Sequence, residues 1–220
     1  MGASYSEQTD PLCLDDDTAA ALLRGAPWRR VAIIGDSTAE GVGEPTPGYR
    51  TLPWTERLLS ALRTAVGPVD YLNTGRTGAT TREVIDEQLA AVLAFRPDLV
   101  LAGCGGNDLL VRRPDYPATE RNLDEILRAA TGSGARVLTS TLDDDVRDPA
   151  MAAFRPRLEA LNDIIRRVAR RHGAIVLDLK GHPIRERTDL ISADGIHYSM
   201  AGHALVAAEV IRTLSAAIPR

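Results

Sequence analysis

The chain has 220 residues, 44% of them hydrophobic and 25% charged, with 26 basic against 30 acidic side chains and a net charge of −4. That length suits one ordinary core; the balance excludes a disordered chain and lacks the basic footprint of a nucleic-acid binder. No apolar run approaches the ~20 residues of a membrane-spanning helix, so a soluble protein with no membrane partner is expected.

Residues 1–29 read as an N-terminal arm lying along the surface, with Asp15, Asp16 and Asp17 capping a short helix over 18–23. Met1 and Gly2 with Ser6 formally fit an acylation pattern, but one acyl chain binds membranes only marginally. The first thirty residues hold no signal-peptide core, and Cys13 and Cys104 form neither a disulfide framework nor a metal spacing. A cytoplasmic protein with two reduced thiols follows as the expectation.

From residue 30 to 220 a single domain is predicted. Apolar runs at 31–34, 69–72, 99–102, 137–139 and 175–179 are continuous rather than alternating, as in parallel strands covered on both faces. Helical patterns fill the gaps: Leu58, Leu59, Leu62 and Val66 share one face, and Ile85, Leu89, Val92 and Leu93 the next. Leu123, Ile126, Leu127 and Ala130 follow, then Leu158, Leu161, Ile165 and Val168, and finally Val206, Val210, Leu214 and Ile218. Five alternations of strand and helix predict a doubly wound α/β fold.

Ligands in such a sheet bind beyond the carboxyl ends of the strands, and those ends are polar here. The first strand runs into Gly35, Asp36 and Ser37; the second into "NTGRTGATT" (73–81); the third into "GCGGND" (103–108); the chain after the fifth reaches "SADGIHYSMAGH" (192–203). A serine, glycine-rich backbone, an asparagine amide and an Asp-x-x-His pair are the parts of an acyl-transfer site. Ser37 is a poor nucleophile until a base takes its proton, and His197 is the candidate base. Asp194, three residues earlier, can hold the imidazole Nδ1 and stabilise the imidazolium. The backbone N–H groups of Ser37 and Gly78 and the Asn107 amide are candidate oxyanion donors.

These segments resemble the SGNH, or GDSL-type, hydrolase superfamily. "GDSTAEG" matches its first block at Ser37, "GRTGATT" the second at Gly78, "GGND" the third at Asn107 and "DGIHYS" the fifth at Asp194 and His197. The resemblance implies a flavodoxin-like three-layer α/β/α sandwich on a five-stranded parallel sheet, no metal or other cofactor, and hydrolysis of small-molecule esters. Two departures stand out: Thr38 replaces the family's leucine, and the second block offers Gly75 as well as Gly78, the latter favoured by aligning "TGAT" with the usual Ser-Gly-Asp-Thr. Ala39 breaks the Gly-x-Ser-x-Gly elbow of an α/β-hydrolase.

Other residues have blander readings. Asp36 and Asp108 order their turns by local hydrogen bonds, His203 packs near the start of the last helix with Ser199 as its cap, and His172 closes a helix before Gly173. Tyr49 and Trp54, in a Pro- and Gly-rich stretch after the nucleophile, offer walls for an acyl or alcohol pocket, with packing on the sheet as the alternative for Trp54. The acidic stretch 141–149 reads as a solvated loop. With no lid-sized insertion, short to medium acyl groups are expected. An acyltransferase or tailoring deacetylase of a sugar or natural product would use the same acyl-enzyme. A non-catalytic anion-binding or ligand-binding module would use the glycine-rich strand ends alone.

Overall fold

The computed structural model describes residues 5–142, 154–180, 182 and 187–219. Met1 and Gly2, and residues 143–149 of the acidic stretch, lie outside them. Two compact units are present. The larger comprises the described residues of Arg29–Glu40 and Asp70–Arg185; the smaller those of Met1–Trp28, Gly41–Val69 and Glu186–Arg220.

The larger unit contains the predicted sheet. Its strands are β1 (Arg30–Gly35), β3 (Asp70–Asn73), β4 (Leu99–Gly103), β5 (Arg136–Ser140) and β6 (Ile175–Leu177), all parallel in the order β3-β1-β4-β5-β6. β6 stops two residues short of the predicted run. Ala32, Ile34, Val100, Ala102 and Val137 cluster with Val92, Ile126, Leu127, Leu161 and Ile165 of the flanking helices, so the continuous apolar runs are explained by burial. Helices α6 (Tyr116–Gly132) and α7 (Arg155–His172) start with Pro in their first turn, where its missing N–H costs nothing. α7 ends at Gly173, which takes the left-handed cap.

The helix after β3 departs from expectation. Thr80 and Glu83 form a reciprocal capping box that starts α4 (Thr81–Glu83), a π-helical turn follows over Val84–Leu89, and α5 (Ala90–Phe95) completes the run. The wider turn alters the buried face: Val84, Gln88, Leu89 and Val92 point inward, while Ile85 and Leu93 are only half-buried. Leu89 and Val92 are buried as expected, and Gln88 is buried beside them.

In the smaller unit, α3 (Trp54–Val66) packs against α8 (Met200–Ala216), and α1 (Asp16–Leu22), capped by Asp15, packs on both. The N-terminal residues, expected as a surface arm, bury Leu23 and Trp28 in this core, along with the carboxylates of Glu7 and Asp10. Glu7 is held by Arg57 and Arg50: burial pushes its carboxyl up, but these hydrogen bonds outweigh it and bring it down to about 2. A two-stranded parallel ribbon, β2 (Gly43–Glu44) with β7 (Tyr198–Ser199), completes the unit. Among the described residues no helix is long and apolar enough to cross a membrane.

Candidate active site

Three of the predicted segments meet at the carboxyl edge of the larger unit's sheet. β1 lies between β3 and β4, where the strand order reverses, the position at which open α/β sheets bind ligands. A Cβ on Gly35, whose φ is +149°, would stand 1.8 Å from the Gly103 carbonyl oxygen, so only glycine lets β1 run this close to β4. Asp36 then donates its N–H to Gly103 O at 3.1 Å and accepts the Thr38 N–H on Oδ1 at 3.0 Å, tightening the turn in which Ser37 opens α2 (Ser37–Glu40).

The loop after β3 is laced to α2. Asn73 donates from Nδ2 to Ala39 O at 2.8 Å and accepts the Gly75 N–H on Oδ1 at 2.8 Å. Thr77 donates both its N–H and its hydroxyl to Glu40 Oε2, each at 2.6 Å. The two glycines of this loop now separate. A Cβ on Gly75 would lie 2.4 Å from Glu40 N, whereas Gly78, at φ +80°, faces open space and has a left-handed backbone. Gly75 thus packs the loop against α2, whereas Gly78 borders open space.

After β4, Asn107 opens a 3-10 turn and donates from Nδ2 to Ala79 O at 3.0 Å, next to Gly78. A primary amide carries two such hydrogens, so one remains for a ligand. Asp108 accepts from Thr81 N–H at 2.9 Å and from the Thr81 hydroxyl at 2.5 Å, tying this turn to the helix that follows Gly78. The Cys104 thiol is buried, which pushes its pKa well up and makes it a poor nucleophile.

The Asp-x-x-His pair stands in the smaller unit. His197 Nδ1 lies 2.6 Å from Asp194 Oδ2, while Asp194 Oδ1 accepts the backbone N–H groups of Ile196 (2.9 Å) and His197 (3.0 Å). The His197 hydrogen bond, then the two backbone donors, bring the Asp194 carboxyl down to about 2. An ionised partner requires the proton on Nδ1, which leaves Nε2 as the basic nitrogen. Gly195, at φ +72°, makes the turn between them. Ser192 and Glu44 support the loop: Ser192 donates its N–H to His197 O at 2.7 Å, and Glu44 Oε2 accepts the Ala193 N–H at 3.0 Å. Sequence reasoning missed Glu44, because a glutamate in a Pro- and Gly-rich stretch has no signal that it will reach 149 residues along the chain.

Tyr49 and Trp54 are both buried within the smaller unit. The Tyr49 hydroxyl donates to the buried Asp10 carboxylate at 2.7 Å, beside Arg187, and Trp54 is buried in the first turn of α3. His203 is wholly buried, accepting the Trp54 N–H on Nδ1 at 3.3 Å and donating from Nε2 to Val42 O at 3.0 Å. Burial lowers its pKa, so it stays neutral and structural. Ser199 caps α8 by accepting the Gly202 N–H at 3.2 Å, as expected from the sequence.

Residues 33–205 match the GDSL-like Lipase/Acylhydrolase family. No curated protein matches the chain. Among solved structures, LAE5, described as an alpha/beta hydrolase enzyme from the metagenome of Lake Arreo, Spain, is 23% identical with a TM-score of 0.70, covering 87% of this chain and 97% of its own. A lipase/acylhydrolase from Enterococcus faecalis is 24% identical with a TM-score of 0.68, the cover being 86% and 96%. Axe2, an acetylxylan esterase from Geobacillus stearothermophilus, is 18% identical with a TM-score of 0.70 and cover of 84% and 94%. These likenesses carry the fold, a parallel sheet flanked by helices, whereas the match over 33–205 carries membership: the chain belongs to the GDSL-like lipase/acylhydrolase family and is a hydrolase.

Proposed function

We propose that the protein is a cytoplasmic serine esterase acting on small-molecule esters with short to medium acyl groups. Ser37 Oγ attacks the ester carbonyl carbon while His197 Nε2 takes the hydroxyl proton, and Asp194 holds the imidazolium. The N–H groups of Ser37 and Gly78 and the Asn107 amide receive the tetrahedral oxyanion; one such donor is worth about 2.7–4 kcal/mol in the barrier. His197 returns the proton to the departing alcohol oxygen as the carbon–oxygen bond breaks. Water then attacks the acyl-enzyme by the same route, releasing the acid and restoring Ser37.

The observation that carries this reading is the Asp194–His197 pair, in which the carboxylate is ionised, bonded to Nδ1 at 2.6 Å and fixed by two backbone donors. Such a pair leaves a basic Nε2 on a half-buried ring. Hydrolysis of a chromogenic acetyl ester, run with fluorophosphonate labelling on wild type and Ser37→Ala, tests it. Turnover and labelling are both expected to vanish in the variant; turnover that survives would overturn the assignment of Ser37.

A further inference from the structure

The buried glutamine of the π-helical turn lies against the nucleophile turn. Gln88 is only 3% exposed, and its primary amide meets both backbone groups of Gly35: Oε1 accepts the Gly35 N–H at 2.9 Å, and Nε2 donates to the Gly35 carbonyl oxygen at 2.9 Å. Those two partners fix which end of the amide is oxygen and which nitrogen, since an N–H and a carbonyl admit only that orientation.

The pairing replaces a missing strand. β3 stays in register with β1 only to Ile33 opposite Asn73, so at Gly35 the edge of β1 facing β3 has no strand beside it. Thr74 and Arg76 cover part of that edge, donating N–H to Ile33 O at 2.9 Å and to Gly35 O at 3.2 Å. The Gly35 N–H receives its partner from Gln88. A buried peptide group left unpaired would be free to turn toward another partner, and the next two residues are Asp36 and Ser37.

The amide comes from the π-helical turn. π-helical turns are rare and concentrate at functional sites; this one places Val84, Gln88 and Leu89 inside together. The only polar member of that trio is the one that reaches the nucleophile turn.

We propose that Gln88 is a positioning residue for the nucleophile: through Gly35 it holds the Ser37 N–H and Oγ where acyl transfer uses them, an inference that rests on Ser37 being the nucleophile. A displacement of about 1 Å at reacting groups can cost on the order of 100-fold in rate. Gln88 touches no substrate, so the loss falls on kcat more than on KM.

Gln88→Met keeps the length of the side chain and removes both hydrogen bonds to Gly35, along with the one that Oε1 accepts from the Thr74 hydroxyl at 3.3 Å. Its kcat on the acetyl ester, and its second-order rate of fluorophosphonate labelling, are expected to fall together by about 10- to 100-fold, with KM within about twofold. Leu127→Ala, a core truncation in α6, serves as a control of equal or greater loss in Tm and is expected to keep its kcat. If Gln88→Met does not fold, Gln88→Leu, which likewise has neither acceptor nor donor for Gly35, is judged by the same criteria. A folded Gln88 variant whose kcat and labelling rate stay within about twofold of wild type, or fall no further than those of Leu127→Ala, overturns the inference. Labelling in wild type that persists in Ser37→Ala would overturn the nucleophile assignment instead, and so separates the two failures.

Discussion

The two halves of the proposed chemistry are built in opposite ways. The turn at Gly35–Ser37 is buried and its backbone is held by Gly103 on one side and the Gln88 amide on the other, while Asn73, Gly75 and Thr77 of the loop after β3 pack on Ala39 and Glu40 just beyond it. The loop carrying Asp194 and His197 is largely exposed, with Ile196 61% accessible, and is ordered by one carboxylate that accepts three hydrogen bonds and by the Ser192 and Glu44 contacts. A nucleophile and its oxyanion donors must be fixed before the reaction begins, because their value lies in needing no reorganisation. A base must change protonation state twice per turnover, and a half-buried ring beside a stable, solvent-exposed anion suits that task.

If that contrast is right, the largest effects on rate come with the least effect on folding at the reacting atoms themselves. Ser37→Ala is expected to lower kcat by on the order of 10⁴-fold or more, with unfolding in denaturant unchanged. Asp194→Asn removes the anion and permits the wrong tautomer, so a loss of about 10²- to 10⁴-fold is expected in steady-state turnover. Asn107→Ala removes the proposed oxyanion donor and the bond to Ala79 O, and about 10²- to 10³-fold is expected in kcat. Equal small losses in all three would break the comparison.

The glycines sharpen it in free energy rather than in rate. Gly75→Ala drives a Cβ into the backbone of α2 and is expected to cost about 3 kcal/mol in denaturant unfolding. Gly78→Ala meets open space and only has to adopt a left-handed backbone, for about 1–2 kcal/mol. A reversed order would assign the packing role to Gly78.

The parallel sheet was legible because strands buried on both faces spell continuous apolar runs, and the polar residues at their ends could not belong to that core. Ser37 and Asn107 stand out as candidates because they are polar at strand ends, and Asp194 and His197 because three residues separate them, a spacing that the structure joins by a 2.6 Å contact. Gln88 was not legible: a polar residue within a helical pattern looks solvated unless the turn widens, and no residue type marks a π turn. Tyr49 was misjudged because an aromatic ring reads the same whether it walls a pocket or covers a buried carboxylate. Nothing in the sequence marks Glu7 and Asp10 as buried, since their partners Arg50, Arg57, Tyr49 and Arg187 are 39 to 177 residues away.

The smallest expected effect concerns what the exposed loop adds to stability. Hydrogen bonds from His197 and from the Ile196 and His197 N–H groups lower the Asp194 carboxyl from its ordinary 3.8 to about 2. A carboxylate depressed in the folded state adds stability that is complete above its unfolded pKa and disappears as pH falls through its folded one. The difference in Tm between wild type and Asp194→Asn should therefore be constant above about pH 5 and close between about pH 4 and pH 2. With 44% of the Asp194 side chain accessible, solvent screens the interaction, and the difference is expected to be only about 1–2 °C at neutral pH. A loss above about 5 °C, persisting at pH 2, would mean that loop 192–198 is held by buried packing as the nucleophile turn is. The two regions would then differ in chemistry but not in how the fold secures them.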